Sequence, residues 1–232
     1  MAGRVSGPDP LNFSGAARPG PVVLSGRYGR VERLDPERHG ETLWEAFKAD
    51  PTLWDYMAYG PFESEDAFRH WLVDRAALAD PYVYAIVTPD DRAVGLATLM
   101  AIRPDMGVIE VGHIVYAPAL QRSRLGTEAQ FLLARYVFET LGYRRYEWKC
   151  NALNTASRRA AERYGFTFEG IFRQHMIVKG ENRDTAWYAM LDREWPARKV
   201  AFEKWLAPPN FDNDGRQRTK LAVASSRPGK DS

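Results

Sequence analysis

One cysteine, Cys150, stands among 232 residues. It has no partner for an intramolecular disulfide and cannot complete a thiolate zinc site, so oxidised export and a structural metal both lose their main support. No stretch reaches the roughly 18 apolar residues of a membrane span, and residues 1–20 lack the apolar segment of a signal peptide. No membrane association is expected, and the cytoplasm is the expected location. Charge of one sign is also missing. The 32 basic and 30 acidic residues leave a formal +2, and residues 21–206 hold 25 basic against 26 acidic side chains, so the domain lacks the basic face of a nucleic-acid binder. Neither G-x-x-x-x-G-K-[ST] nor G-x-G-x-x-G occurs, which removes the usual nucleoside triphosphate and dinucleotide signatures. There is no internal repeat.

What is present is a folding composition: 45% apolar, 27% charged and seven tryptophans, far from the disordered range. Residues 1–20 are crowded with Gly and Pro and read as a flexible lead, residues 207–232 are polar with isolated apolar positions and read as a flexible tail, and residues 21–206 form one domain. Val22 to Leu34 reads as an opening strand and Pro36 to Lys48 as a helix. Glu63 to Leu78 reads as an amphipathic helix capped by Ser64. Two strands, Tyr82 to Val87 and Ala93 to Ile102, pair around Asp90-Asp91, and a fourth strand spans Val108 to Tyr116. Thr127 to Leu141 shows the clearest helical stripe, and the strand around Tyr146 to Cys150 follows it. That strand, helix, strand order implies a parallel crossover. A helix at Asn154 to Tyr164 leads into a hairpin of Phe166 to Lys179 with Arg183 to Leu191. The expected class is α/β with a mixed, mostly antiparallel sheet of six to seven strands and about four helices.

The segment Val115 to Thr127, VYAPALQRSRLGT, runs from a strand through a basic loop into a helix start. Free amides at a helix N-terminus beside Arg122 and Arg124 suit a phosphate or pyrophosphate. Together with NALNTASRRAAERYGFTFEGIFR and GENRDTAWYAML, the string IEVGHIVYAPALQRSRLGTEA resembles the GNAT acyltransferases of the RimJ/RimL type, over about Leu24 to Trp195. The resemblance implies an N-acetyltransferase that moves acetyl from acetyl-CoA to a primary amine by direct attack in a ternary complex, without a metal. The family pattern Q/R-x-x-G-x-G/A matches as Gln121, Arg124 in place of the first glycine, and Gly126. If the first position requires a positive φ, arginine is strained there. By resemblance, the coenzyme A pyrophosphate lies on Gln121, Arg122, Ser123, Arg124, Leu125, Gly126 and Thr127, and the pantetheine pairs along Ile114, Val115 and Tyr116. Asn154 and Ser157 complete the cofactor set.

The general-acid tyrosine of many members of the family falls on Ala161 in this chain, and Ser157 matches the serine proposed as the acid in RimL-like relatives. For the base, the candidates are Glu110 and His113, which point to opposite faces of a regular strand unless a bulge intervenes. His175 is a weaker third candidate. Trp54 and Tyr56 fall in the loop that lines the acceptor site of this family, and Cys150 reads as strand core. The departures at Arg124 and Ala161 keep open an alternative, a non-catalytic acyl-CoA-binding protein on the same fold. A homodimer is left open, and the amine acceptor is not identified by the residues.

Overall fold

The computed structural model describes residues 12–222. The parts of the expected lead and tail at residues 1–11 and 223–232 lie outside the described residues. Eight strands form one sheet in the order β1-β2-β3-β4-β5-β6-β8-β7. They are β1 (Val23–Ser25), β2 (Arg30–Arg33), β3 (Tyr82–Val87), β4 (Ala93–Arg103), β5 (Val108–Tyr116), β6 (Arg145–Asn151), β7 (Thr167–Val178) and β8 (Glu181–Leu191). Every neighbouring pair is antiparallel except β5 and β6, because the helix between those two carries the chain back across the sheet. Among the described residues five α-helices accompany the sheet: α1 (Pro36–Phe47), α2 (Glu65–Ala76), α3 (Arg124–Arg135), α4 (Thr155–Arg163) and α5 (Trp195–Leu206). Among the described residues no helix is long and apolar enough to cross a membrane.

The extra strand arises from the opening segment, which breaks in two where a single strand is expected. The turn at residues 26–29 is held by Glu128 of α3, whose buried carboxylate accepts the Arg27 and Tyr28 amides at 2.7 Å each. A side chain on Gly26 would put its Cβ 2.3 Å from that carboxylate. The helix expected from Thr127 to Leu141 starts three residues earlier and changes at Tyr136–Thr140 into a π-type turn. The fifth helix, α5, has no counterpart in the expected elements. Its Trp195 stacks on Phe138 at 5.5 Å and its Phe202 packs on Phe131 at 5.6 Å.

The two faces of the sheet carry separate cores. Ile109, Val111, Tyr146 and Trp148 pack with α3 on one side, whereas Val83, Ala85 and Leu96 pack with Leu43, Phe47, Phe68 and Leu72 of α1 and α2 on the other. α1 and α2 cover the β2–β4 half of that second face.

The chain ends are the main correction. The expected tail from residue 207 is docked through residue 221: Phe211 and Leu221 are buried in the α3-side core, and Asn210 accepts the Thr219 amide and donates to the Trp205 carbonyl. Part of the expected lead is also fixed. The Ala16 and Ala17 amides donate to the carbonyls of Pro104 and Leu141. Isolated apolar residues in a polar segment find burial only against distant partners, here Tyr28, Arg124 and Trp205.

Candidate functional site

β5 and β6 pair only over Val108–Val111 and Arg145–Trp148. Beyond that point they diverge, so the backbone of β5 from Gly112 to Tyr116 loses its partner on the β6 side while keeping β4 on the other. Unpaired strand backbone in a fold interior is a ready hydrogen-bonding edge for an extended ligand. A cleft of about 1220 Å³ opens there on the α3 side. Ile114, Val115, Tyr116, Gln121, Arg122, Ser123, Arg124, Thr127, Asn154 and Ser157 all line it. Leu125 and Gly126 do not; both are buried beneath the loop.

The loop geometry explains itself residue by residue. Ser123 caps α3, its Oγ accepting the Gly126 amide at 2.9 Å and donating to the Leu120 carbonyl at 2.7 Å. The Gln121 amide side chain donates to the Tyr116 carbonyl, and the Tyr116 hydroxyl donates to the Gly126 carbonyl. These bonds tie the helix start to the end of β5. Gly126 has a steric reason to be glycine: a Cβ there would lie 2.6 Å from the Leu120 backbone oxygen. Arg124 is already helical, so the strain anticipated for it does not arise. The positive φ falls two residues earlier, on Arg122 at +57°. The Arg124 guanidinium lies over Tyr28 at 4.8 Å and Phe211 at 5.2 Å, so it holds the C-terminal segment in place. Asp214, Gly215, Arg216 and Gln217 of that segment form one wall of the cleft.

At the other wall, Asn154 caps α4 by accepting the Ser157 amide at 2.9 Å. Ser157 Oγ accepts the Trp148 indole N–H at 3.0 Å. Ser157 also borders Cys150, whose thiol burial pushes above its ordinary pKa. A buried, protonated Cys150 is strand core, not a nucleophile. Ala161 is fully buried and does not reach the cleft. Tyr164 serves both core and cleft: it is 9% exposed, lines the cavity, and burial raises its pKa. Tyr56 lines the cleft and donates to the Leu153 carbonyl at 3.4 Å. Trp54 corrects the expectation for that loop. It is 2% exposed and packs among Phe47, Phe62 and Trp71 at 5.1 to 5.7 Å, because the apolar space under α1 and α2 takes the larger indole.

Glu110 and His113 lie on the opposite face of the sheet from this cavity. A bulge sets two residues, His113 and Ile114, against Ala97 alone, and His113 takes a φ of +46°. The bulge overrides strand alternation and turns His113 to the same side as Glu110. The His113 ring meets Tyr59 at 5.6 Å. Burial, together with the charges of Arg75 and Arg183, depresses its pKa from 6.5 to about 4. Glu110 is 6% exposed, and Lys149 Nζ donates to its carboxylate at 2.7 Å. Burial raises the Glu110 carboxyl above its ordinary range, with Lys149 acting against the shift. His175 instead bonds the Thr185 hydroxyl at 2.9 Å.

A sheet splayed after a parallel pair, with a helix start at the splay, is joined by a direct sequence match: the acetyltransferase (GNAT) domain description fits residues 31–167. The chain belongs to the GNAT acetyltransferase family. It is similar to a GCN5-related N-acetyltransferase from Brucella melitensis, with 45% identity, a TM-score of 0.88, and 90% of this chain and 96% of that one covered. It is 29% identical over 149 residues to the Bacillus subtilis (strain 168) protein named "Putative ribosomal N-acetyltransferase YdaF", covering 63% of this chain and 80% of that protein. A RimL structure titled ribosomal L7/L12 alpha-N-protein acetyltransferase shares the fold, at 20% identity and a TM-score of 0.63 over 73% of this chain and 94% of that one. The chain is thus an acetyltransferase, and its family uses acetyl-CoA as co-substrate. No observation favours the non-catalytic alternative.

Sequence reasoning missed several cleft residues of this acetyltransferase. Trp148, Arg159 and Arg163 were legible only as members of a strand and a helix, and the segment from Phe211 to Gln217 carried no local signal at all.

Proposed function

We propose that this acetyltransferase holds acetyl-CoA in the α3-side cleft and receives its amine from the opposite face of the sheet, the two meeting where β5 and β6 part. The observation that carries the reading is the placement of Glu110 at the root of that splay, one residue before the last paired position, with the cavity on the other side. The thioester supplies an activated acetyl group. The residues of the cleft suit a polyanion: the start of α3 borders it at Ser123, Arg124 and Thr127, and Arg122, Arg159 and Arg163 line it. The free edge of β5 supports an extended pantetheine arm along Ile114, Val115 and Tyr116.

Glu110 is the proposed base, directly or through one water. Its burial makes it a better proton acceptor than an exposed carboxylate, and Lys149 keeps it oriented. His113 is the weaker candidate, since a ring whose pKa is about 4 holds a proton poorly at neutral pH. Ser157 is the proposed proton donor to the departing thiolate, its Oγ fixed by Trp148. Glu110→Gln tests the assignment. It should lower kcat/KM for the amine by about 10² to 10⁴ while leaving acetyl-CoA affinity by calorimetry unchanged. The wild-type kcat/KM should rise with pH as the carboxyl deprotonates, and that limb should disappear in the variant. A variant with wild-type kcat/KM removes Glu110 from the mechanism.

A further inference from the structure

The face of the sheet that α1 and α2 leave uncovered is β5, β6, β8 and β7, and its charged groups divide into two sets. One set is already paired. Glu110 is held by Lys149 at 2.7 Å, and Glu147 by Arg145 at 2.7 Å and Lys149 at 2.8 Å. The other set is two arginines. Arg183 lies on β8 in the same alternation as Thr185 and Trp187, and Trp187 faces Lys149 across the β6–β8 pair. Arg75, on α2, places its guanidinium 5.9 Å from the Tyr59 ring, and Tyr59 in turn touches His113. The hairpin tip of β7 and β8 is drawn toward this loop, with Lys179 Nζ donating to the Trp54 carbonyl at 3.0 Å.

Among the described residues neither Arg75 nor Arg183 forms an ion pair, and the Nε of each is buried without a hydrogen-bond partner. His113 Nδ1 and Trp187 Nε1 are buried and unbonded as well. Buried donors without acceptors are uncommon in native proteins and call for a ligand or an ion. Two arginines without ion pairs on this side of the sheet, with Glu110 and Glu147 already ion-paired to Lys149 and Arg145, suit an incoming carboxylate, which an arginine fork matches in shape as well as charge.

We infer that the acceptor of this acetyltransferase is an amine that also carries a carboxylate, bound by Arg183 and Arg75 beside His113. The inference rests on the acetyl-transfer reading above and names its substrate class. A free amino acid and a peptide with an acidic side chain next to its amino terminus share this chemistry. Arg75 reaches the His113 side through Tyr59, and Arg183 shares its face of β8 with Trp187, the cross-strand neighbour of Lys149, which holds Glu110. An alkylamine or polyamine without a carboxylate would add a further cation to this cluster and leave both guanidiniums unpaired.

The test compares matched acceptors. Wild type should acetylate a free amino acid, or a peptide with acidic second residue, with kcat/KM about 10- to 100-fold above the corresponding amide, the worth of a charge-assisted hydrogen bond. The free amino acid and the peptide distinguish the two sources. Arg183→Ala should bring that ratio close to one and leave acetyl-CoA affinity unchanged by calorimetry. Arg183→Gln and Arg75→Ala serve as second variants should the first fail to fold. Propionate, which has no amine, should shift the His113 ring resonances of wild type and not those of the arginine variants. Equal kcat/KM for the carboxylate and its amide, an unchanged ratio in folded arginine variants, or no propionate response overturns the inference. A wild type that fails to bind acetyl-CoA overturns the transfer reading instead, and the propionate titration still decides the carboxylate site.

Discussion

Phe211→Ala isolates the contribution of the C-terminal segment to the cleft. Phe211 is 8% exposed, with its ring edge-on to Tyr28 at 6.2 Å and to Trp205 at 5.1 Å, beneath the Arg124 guanidinium at 5.2 Å. Truncating a buried phenylalanine costs about 3 to 5 kcal/mol, and its share of the cation–π contact is about 0.5 to 1 kcal/mol within that figure. The loss should fall on local docking, since residues 207–222 have few other anchors: the buried Leu221, the Asn210–Thr219 bonds and the Trp205–Gln217 bond at 2.9 Å. A shift of about 3 kcal/mol moves the docked-to-undocked ratio by about 10². Cleavage by a protease between residues 212 and 218 should therefore accelerate strongly, while Tm falls by only a few degrees. Asp214 to Gln217 form one wall of the cleft, so acetyl-CoA should bind about tenfold or more weakly, as affinity falls with the competent fraction. Calorimetry on wild type and variant, with limited proteolysis as the control for undocking, measures both quantities. A variant that is cleaved readily yet binds acetyl-CoA with wild-type affinity would refute the reasoning, since the wall would then be dispensable.

Two further outcomes follow from single residues. Gly126→Ala drives a Cβ to 2.6 Å from the Leu120 carbonyl oxygen and 3.1 Å from the Tyr116 ring, so it should cost about 1 to 3 kcal/mol of stability by overpacking and weaken acetyl-CoA binding with it. An unchanged Tm would show that the loop yields freely. His113 resists protonation in the folded state, with its pKa at about 4 against 6.5 unfolded. As pH falls below 6.5 the unfolded chain takes up a proton the native ring refuses, and stability is lost progressively down to about pH 4. At pH 5 the loss is about 2 kcal/mol. Urea unfolding at pH 7 and pH 5 should show that drop in wild type and a smaller one in His113→Gln, and equal drops would exclude His113 as its source.

The local order of this chain is written in short-range contacts. Ser64 and Asn154 cap their helices by bonding amides three residues on, which any reading of neighbouring residues can anticipate. The β7–β8 hairpin turns at Lys179 and Gly180, both at positive φ, where the sequence already presents a glycine. The α3 stripe and the β5–α3–β6 crossover come from hydrophobic period and connection length. Each depends on atoms within a turn or two of the residue itself.

Other decisions needed residues that only folding brings near. The bulge that brings His113 to the Glu110 side depends on how β5 pairs with β4, and strand alternation alone predicts the reverse. Arg124 stands where the resembled motif has glycine, and its guanidinium lies over rings far along the chain, those of Tyr28 and Phe211. Phe211 itself is a single apolar residue in a polar segment, with no periodicity to mark it. Amino-acid order alone thus determined helices α1 to α4, the hairpin turns and the start of the loop that opens α3, where a residue's partners lie close in the chain. Tertiary structure alone decided which face each candidate took and which distant segment closed the cleft, because burial and register are properties of the partner as much as of the residue.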